Sequence, residues 1–323
     1  MITVRKYTTE DYDIWNAFVA SAKNATFLFH RDFMEYHQDR FTDYSLLCFK
    51  GDKLMAILPI NVVGNTVYSH QGLTYGSLVL QENSKLLTTF EVFQSLLKFL
   101  NINGIETLYI KAIPTFYNSM PSDELEYFLF KANAKLVKRE VLMVIDYQYQ
   151  IKFQKNRREG INKALRNGLE VRIDTNFDGF WNEILIPNLK NKHQVNPVHT
   201  LAEIKKLAQI FPKNIHQINV YQNNKLIAGS TIFLTKTTIH PQYVSGNTDK
   251  NILGSLDLLY DFIINRYQTD KRYFDFNISS EDSGNVLNRG LIFWKETCGA
   301  RSFMANNYEV KTQVYKSLNL NVK

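Results

Sequence analysis

Hydrophobic and polar positions alternate in the first residues of the chain and then change to a helical period. The segment ITVRKY alternates as a half-buried strand does. The next segment, TTEDYDIWNAFVASA, opens with Thr8 and Thr9, either of which can cap a helix, and has Asp11 and Asp13 in its first turn. The pattern predicts a strand followed by a capped helix.

A pair of short strands joined by a polar turn occurs once in each half of the chain. In the first half, Gly51 and Asp52 separate the strand-like parts of CFKGDKLMAIL, and in the second half a polar turn separates those of VYQNNKLIAGS. The two segments align without a gap. Each is followed by a helix, a turn and a strand, in FEVFQSLLKFLNINGIETLYIKAI and in GSLDLLYDFIINRYQTDKRYFDFNI.

This shared order predicts two copies of one α/β unit, at residues 1–150 and 151–323. Hairpins are mixed with helix-connected strands in both copies. We therefore expect each copy to be a mixed, largely antiparallel sheet flanked by helices, an α/β (α+β) fold.

Positive charge is concentrated between the two copies. The chain carries a net charge of +7, and the segment FQKNRREGINKALRNGLEVRI contains one acidic residue before its last strand-like part, Glu159. The basic residues of this segment are Lys155, Arg157, Arg158, Lys163 and Arg166. They form either a solvated helix face or a platform for phosphates, and the net charge suits an anionic ligand such as a coenzyme, a nucleotide or a tRNA.

Several chemistries have no support in the sequence. The Gly-x-Ser-x-Gly, Walker and Gly-x-Gly-x-x-Gly motifs are missing, and Cys48 and Cys298 have neither zinc nor disulfide spacing. The segment MITVRKYTTEDYDIW has no apolar stretch typical of a signal peptide, and apolar runs such as LMAILPI are strand-length. We expect a cytoplasmic protein with reduced, mostly buried thiols, no metal and no membrane span.

The second half contains four segments in a characteristic order, most clearly between residues 215 and 310. They are HPQYVSGNTD, GSLDLLYDFIINRY, YFDFNISSED and NRGLIFWKETCGA. This order resembles the FemAB-like branch of the GNAT acyltransferase superfamily, which includes BioF2-like acetyltransferase domains and Fem peptidyltransferases. Such proteins resemble two GNAT units in tandem, in agreement with the repeat.

The resemblance implies transfer of an acyl or aminoacyl group to an amine. GNAT enzymes use acyl-CoA, Fem ligases use aminoacyl-tRNA, and the first unit helps to hold the acceptor. In the pyrophosphate loop, only Gly254 and Ser255 of NILGSLDLLYDF remain as small residues at the helix start, where backbone amides can bind phosphate. The helical hairpin arm of Fem ligases has no counterpart in this sequence.

Lone charges within apolar stretches are the candidate catalytic residues. Lys295 matches the lysine that lies near the donor in Fem-type domains, where a fixed ammonium can stabilise an oxyanion. Asp275 lies between Phe274 and Phe276, so in a strand it alone points to its face. It can accept the amine proton, hold a loop or pair with Lys295. Two further carboxylates are rival bases: Glu281 and Asp282.

The strand before the helix that starts at Gly254 and Ser255 supplies further candidates through the resemblance. His240 is a possible general base, and Gln242 and Tyr243 belong to the strand whose GNAT equivalent binds the coenzyme arm. Asn288 and Arg289 open the loop that leads to Lys295, where they can position a substrate or the cofactor. A structural histidine at position 240 stays an alternative.

The first half contains a candidate acceptor pocket in FLFHRDFMEYHQDRF. His30, Arg31 and His37 occur there among aromatic residues at a helical spacing. Tyr75 lies in the Gly-containing loop HQGLTYGSL, which could close over such a pocket. A capped helix with a polar rim is the structural alternative.

The sequence thus leaves three functions open. The first is an acyl-CoA-dependent N-acyltransferase, using acetyl-CoA or another acyl-CoA and a primary amine such as a nucleotide-linked amino sugar of surface polysaccharide. The second is an aminoacyl-tRNA-dependent ligase acting on a peptidoglycan precursor. The third is a catalytically silent GNAT-fold binding module. No feature points to DNA as a partner.

Overall fold

The computed structural model describes residues 1–149 and 152–320. The chain packs as two units: unit 1 comprises Met1–Glu140 and Met304–Lys323, and unit 2 comprises Val141–Phe303. The sequence analysis places a single boundary between residues 150 and 151, which lie outside the described residues.

Seventeen strands occur in the described residues, most of them with the alternating or continuous apolar pattern of a packed sheet. In chain order they are β1 (Ile2–Lys6), β2 (Thr42–Asp43), β3 (Leu46–Lys50), β4 (Lys53–Leu58), β5 (Asn61–Val63), β6 (Thr66–Tyr68), β7 (Val79–Leu80), β8 (Thr107–Lys111), β9 (Lys135–Asp146), β10 (Leu169–Asp174), β11 (Ile215–Gln222), β12 (Lys225–Leu234), β13 (Thr238–Gly246), β14 (Tyr273–Ile278), β15 (Ser280–Glu281), β16 (Val286–Leu287) and β17 (Arg301–Lys311).

The α-helices are mostly short and amphipathic, with one π-helical segment at Phe180–Leu185. In chain order they are α1 (Tyr12–Ser21), α2 (Arg31–Met34), α3 (Leu86–Ile102), α4 (Glu124–Lys131), α5 (Lys155–Arg166), α6 (Phe177–Gly179), α7 (Ile186–His193), α8 (Leu201–Ile210), α9 (Lys250–Leu253), α10 (Ser255–Tyr267) and α11 (Arg289–Thr297). Within the described part of the chain, no helix has the length and apolarity that a membrane crossing requires.

Unit 1 contains two sheets around one apolar core. The first has the strand order β1-β3-β4-β7 and is antiparallel throughout, and the second includes β8-β6-β5-β2 with the β6–β8 pair parallel. Residues 307–311 of β17 pair antiparallel with β8. Helix α3 turns Phe93, Leu96 and Leu97 into the core, and α4 adds Phe128.

The main sheet of unit 2 has the order β10-β11-β12-β13-β14, to which the last residues of β9 add antiparallel to β14, and β15 and β16 form a separate two-stranded sheet. All its neighbouring strands are antiparallel except β13 and β14, which are parallel. Helix α10 forms the crossover between these two strands, and Leu259 and Ile263 fix it on the core. The prediction of mixed, largely antiparallel sheets flanked by helices is confirmed in both units.

The hairpin repeat predicted from the sequence is present in detail. Strands β3 and β4 are joined by a two-residue turn at Gly51, and β11 and β12 by one at Asn223 and Asn224, all three of which have positive φ. Each hairpin has a β-bulge at the same place in its second strand. The extra, unpaired residue is Met55 in the first hairpin and Ile227 in the second. The two hairpins are therefore equivalent in turn length and register.

Two smaller predictions also agree with the structure. Thr8 caps the first helical turn, where its backbone N–H donates to Asp11 at 2.9 Å, before α1 begins at Tyr12. Cys48 and Cys298 are free, buried thiols, one in each unit.

Candidate active site

Strands β13 and β14 of the unit 2 sheet pair over only a short stretch and then separate. Their parallel pairing comprises Thr238 with Tyr273 and Ile239 with Phe274. Beyond these pairs β13 continues to Gly246 and β14 to Ile278. Strands that diverge leave backbone N–H and C=O groups without ladder partners. The opening therefore offers a polar edge to an extended ligand.

A β-bulge in β13 controls which side chains face the same side of the sheet. Thr231 of β12 lies opposite Tyr243, and Ile232 lies opposite Pro241, so that Gln242 is the extra residue. Phe233 pairs with His240 and shares its face with Thr231. His240 and Tyr243, three positions apart, therefore lie on one face of the sheet.

His240 and Asp275 stand where the two strands begin to separate. The Nδ1 atom of His240 lies 3.1 Å from Oδ2 of Asp275, and the residues are 4% and 2% exposed. The other carboxylate oxygen of Asp275 accepts the backbone N–H of Asn277 at 2.7 Å. A carboxylate held at both oxygens fixes the orientation of the imidazole.

The face on which Asp275 lies was predicted correctly. Phe274 and Phe276 both pack against Tyr260 of α10, with ring centroids 6.0 and 5.3 Å apart. Because side chains alternate along a strand, Asp275 points away from α10 and toward His240. The structure thus joins two residues that the sequence offered as separate base candidates.

Lys295 of α11 binds the end of β14. Its Nζ donates to the carbonyl oxygens of Asn277 at 3.0 Å and Ile278 at 2.8 Å, and to the Ser279 hydroxyl at 2.8 Å. An ammonium group has three N–H donors, so these partners use all of them. Burial lowers the pKa of Lys295 to about 8, although the charge of Asp275 acts to raise it.

The interaction with Lys295 coincides with a left-handed residue in β14. Asn277 has φ +69°, and the pairing of β14 with β9 shifts register between Asp275 and Ile278. Lys295 holds the carbonyl groups of this irregular segment. It therefore supports the backbone that also donates to Asp275.

Tyr243 contacts a histidine that the sequence analysis did not select. The Tyr243 hydroxyl lies 2.7 Å from Nδ1 of His199 and accepts the backbone N–H of His199 at 3.2 Å. Its ring packs edge-to-face on Trp181 at 4.9 Å, and burial raises its pKa to about 12. The only sequence signal for His199 is its position directly before Thr200, which caps α8.

Gln242, the bulged residue, has a buried side-chain oxygen. Its Oε1 atom has no hydrogen-bond partner among the described residues. Buried acceptors are almost always satisfied in folded proteins. This unsatisfied oxygen therefore belongs to the bulged residue of the strand that borders β14.

The start of α10 is closely covered by α5. Gly254 has φ +74°, and a Cβ atom on it would lie 2.4 Å from the carbonyl oxygen of Gly160. Asp257 in the first turn accepts from Arg157 at 2.5 Å, and Ser255 is fully buried. Arg157 of the predicted basic face thus points inward to an ion pair. A pyrophosphate at this helix start would meet the carboxylate of Asp257.

The rest of the basic segment is exposed on α5. The side chain of Lys155 is 86% exposed, and Arg158, Lys163 and Arg166 are exposed as well. This geometry fits a solvated face and a phosphate platform equally, as the sequence analysis left it.

Asn288 has a structural task at the start of α11. Its Oδ1 accepts the backbone N–H of Leu291 at 3.0 Å, which is an N-cap, and its Nδ2 donates to Glu281 at 2.6 Å. Arg289, Glu281 and Asp282 are exposed. Their predicted roles in positioning or proton transfer stay predictions.

The four predicted acceptor residues fall in unit 1, in structural positions. His30 caps α2, which has only four residues, and Arg31 is 3% exposed with its guanidinium 3.7 Å from the Tyr7 ring centroid. His37 stacks on Tyr36 at 4.1 Å and lies 3.3 Å from the Gly72 carbonyl oxygen. A regular helix over this whole segment does not form, because a 3-10 turn follows α2.

Tyr75 is a core residue rather than an open pocket wall. It is 4% exposed, and its hydroxyl donates to Thr26 at 3.1 Å. Its ring packs on Phe29 and Tyr117. A substrate contact by Tyr75 stays a prediction. In the described part of the chain, no group of three or more His, Cys, Asp or Glu is arranged to hold a metal ion.

Comparison with known proteins gives the fold its class. No protein-family model matches the sequence, and no curated protein matches it either. Solved structures do match. The structure of FemX covers 98% of this chain and 99% of its own length, with a TM-score of 0.66 at 10% sequence identity.

Two further solved structures have the same architecture. L-PGS from Bacillus licheniformis covers 94% of this chain and 92% of its own length, with a TM-score of 0.59 at 12% identity. A tandem GNAT protein from the clavulanic acid biosynthesis pathway covers 97% and 99%, with a TM-score of 0.51 at 10% identity. The predicted fold of two GNAT-like units, of the FemAB-like kind, is confirmed.

Proposed function

We propose that this protein is an N-acyltransferase that moves an acyl group from acyl-CoA to a primary amine. The observation that carries the proposal is the buried His240–Asp275 pair at the point where β13 and β14 separate, in a GNAT-like unit. An oriented imidazole beside an open strand edge supplies a base and a place for an extended donor. The fold supports this assignment, and the site residues are the proposal itself.

His240 is the proposed general base. Asp275 is an acceptor when ionised, so the Nδ1 proton of His240 points to it and the lone pair lies on Nε2. The amine nitrogen attacks the thioester carbonyl and forms the C–N bond, and His240 takes the amine proton. The C–S bond then breaks, and the thiolate of CoA leaves and takes up a proton.

Lys295 is proposed to act near the carbonyl oxygen. Its N–H groups already have three acceptors, of which the Ser279 hydroxyl is a side chain that can turn away. An oxyanion could then receive that N–H from the charged form of Lys295. The bonds to Asn277 and Ile278 would keep the ammonium in place.

The acceptor and cellular setting belong to the same proposal. We assign the acceptor to a primary amine such as a nucleotide-linked amino sugar used in surface polysaccharide, bound with the help of unit 1. Acetyl-CoA or a longer acyl-CoA is the donor, in the cytoplasm. Within unit 2, the unsatisfied oxygen of Gln242 at the bulge is the proposed acceptor for the donor's amide groups.

A second function has one observation in its favour. The start of α10 is covered by Gly160 and occupied by the Arg157–Asp257 ion pair, which leaves little room for the pyrophosphate of CoA. The exposed side chains of Lys155, Arg158 and Arg166 could instead bind a nucleic acid backbone. An aminoacyl-tRNA-dependent ligase acting on a peptidoglycan precursor is therefore the alternative.

Calorimetric titration with acetyl-CoA and longer acyl-CoAs, at two salt concentrations, tests the choice of donor. Binding in the micromolar range with a preference for one chain length supports the acyltransferase. The aminoacyl-tRNA alternative predicts no such binding, but association with tRNA that weakens steeply as salt rises, because bound counterions are released. Binding of neither donor would leave a GNAT-fold binding module and overturn both enzyme functions.

A further inference from the structure

A cavity of about 290 Å³ opens in unit 1 beside α2. Its wall combines side chains of α2, of the turn that follows, of β2 and of the segment after β6. Among them are Arg31, Glu35, Gln38, Phe41, Asp43 and His70. The acceptor pocket expected from the sequence shares Arg31 with this cavity, but the two carboxylates and His70 have no role so far.

The cavity wall has an excess of negative charge. Arg31 donates from Nε to Glu35 at 2.8 Å and from Nη2 to Asp43 at 3.2 Å. The arginine side chain is 4% exposed, whereas the two carboxylates are 33% and 34% exposed. The buried guanidinium therefore neutralises one carboxylate, and the two accessible carboxylates leave one negative charge uncompensated.

His70 adds a buried polar atom without a partner. The residue is 3% exposed, and its Nδ1 has no hydrogen-bond partner among the described residues. Burial first, and then the charges of His37, Lys111 and Arg31, lower its pKa to about 3. A neutral imidazole with its proton on Nε2 presents a lone pair at Nδ1. This lone pair needs a donor, which a ligand would supply.

We propose that this cavity binds the primary ammonium group of a small-molecule ligand. The three N–H donors of such a group match three acceptors in the wall: Glu35, Asp43 and Nδ1 of His70. The ring of Phe41 lies in the same wall and can favour a cation over its face. The ammonium site itself does not depend on the proposed function. The further statement that its ligand is the acyl acceptor does rest on the proposed function.

The ammonium bound here is a recognition group and not the nitrogen that reacts. Opposite charge from Glu35 and Asp43 stabilises the protonated form of an amine and so raises its pKa. A protonated amine has no lone pair for attack on a carbonyl. The amine of the acceptor that becomes acylated would therefore be at a different position from the ammonium group that the cavity holds.

Ligand-observed NMR titration of the full chain tests the site with glucosamine as the probe. Glucose and N-acetylglucosamine have the same ring with a hydroxyl or an acetamide in place of the ammonium. We expect glucosamine to bind at least about tenfold more tightly than either, since charged hydrogen bonds are the stronger ones. Equal binding of the three sugars would overturn the proposal.

Two variants separate the site from the fold. His70→Phe keeps an aromatic ring beside Phe41 and breaks no ion pair, and Glu35→Gln removes one carboxylate charge. Each should weaken glucosamine binding about tenfold or more. The matched control is Glu91→Gln, an exposed carboxylate of α3 that lies 3.5 Å from Lys50. Circular dichroism checks folding, because Glu35 pairs with a buried arginine.

The outcomes also separate this site from the proposed enzyme. Ammonium-selective binding without acyl transfer from any donor would keep the site and reject the N-acyltransferase. Acyl transfer without ammonium-selective binding would do the reverse. Wild-type affinity in both folded variants would show that glucosamine binds elsewhere and would overturn the site.

Discussion

At the scale of single residues, hydrogen bonding decides between the two base candidates. Asp275 accepts both from the backbone of Asn277 and from His240, so its carboxylate is used to hold other groups. His240 has one ring nitrogen committed to Asp275, which leaves the other for chemistry. In the proposed mechanism the pair therefore acts as one unit, in which Asp275 is the positioning residue.

We predict that Asp275→Asn lowers turnover about a hundredfold or more while the fold is kept. The asparagine amide can present an N–H to Nδ1 of His240, which would favour the wrong tautomer. The measurement is kcat with the donor that calorimetry identifies, together with its pH profile. The expected change lies in kcat and in the pH dependence rather than in KM.

The matched control for this substitution is Asp270→Asn, at an exposed position after α10. It should leave kcat unchanged, and both variants should unfold near the wild-type temperature. An Asp275→Asn enzyme with normal turnover and an unchanged pH profile would remove the pair from the mechanism.

Sequence reasoning at this scale identified residue types better than their partners. The isolation of Asp275 between two phenylalanines predicted its face, because side chains alternate along any strand. Tyr75 and Arg31 are both buried, and the Arg31 guanidinium lies over the Tyr7 ring, which the composition of their segments did not indicate. His199 meets Tyr243 across 44 positions, a distance over which no local pattern carries information.

At the scale of elements, two glycines set the approach of α5 to α10. A Cβ on Gly254 would lie 2.4 Å from the Gly160 carbonyl oxygen, and a Cβ on Gly160 would lie 1.9 Å from Asp257. A Cβ on Gly254 would meet backbone and so require a shift of a helix, whereas a Cβ on Gly160 would displace the Asp257 side chain. This contact fixes the ion pair of Arg157 and Asp257 at the start of α10.

Comparison of Gly254→Ala with Gly168→Ala measures this contact. Both glycines have positive φ, at +74° and +70°, but a Cβ on Gly168 meets nothing within 4 Å. Each substitution should cost about 1–2 kcal/mol for the left-handed backbone. Gly254→Ala should lose a further 1–3 kcal/mol or so to overlap with Gly160. Denaturant unfolding of the two variants gives the difference.

Equal destabilisation of the two glycine variants would mean that α5 moves freely away from α10. The start of α10 would then be open to a pyrophosphate after all, and the main observation for the aminoacyl-tRNA alternative would disappear. The stability measurement thus bears directly on the choice of donor.

The hairpins were the most predictable elements and the bulges the least. A polar two-residue turn between apolar runs specifies a hairpin locally, as at Gly51 and at Asn223 with Asn224. The bulge at Gln242 depends on how β13 packs between β12 and β14, which is a tertiary effect. Helix α2 ended after Met34 although the helical period continued, because a 3-10 turn replaced it.

At the scale of the whole molecule, the repeat predicted two units but not the path of the chain between them. Met304–Lys323 belong to unit 1, where residues 307–311 of β17 pair with β8. An alternating pattern predicts a strand but does not show which strand it pairs with, and β17 and β8 are far apart in sequence. Pairing at such a separation is decided by packing.

Buried cations in both units give the whole molecule an unusual dependence on pH. Burial lowers the pKa of Lys111 in unit 1 and of Lys295 in unit 2 to about 8, from 10.5. Between these values the unfolded chain binds protons that the folded chain does not. The contribution of these lysines to the free energy of unfolding therefore rises with pH over that range. Below about pH 8 this contribution does not change with pH, because the lysines are protonated in both states.

We predict that the melting temperature of the wild type rises relative to that of Lys295→Met between about pH 7.5 and about pH 10. The full linkage effect is at most about 3.5 kcal/mol, since each pKa unit corresponds to about 1.4 kcal/mol. Calorimetric scans of both proteins at matched pH give the difference in melting temperature. The contributions of Lys111 and of the tyrosines are the same in both proteins and cancel in this difference. Lys225→Met, at the exposed start of β12, is the control and should follow the wild type. A constant difference between wild type and Lys295→Met would show that Lys295 stays charged in the fold over this range, so that its ammonium would be present for the proposed reaction throughout it.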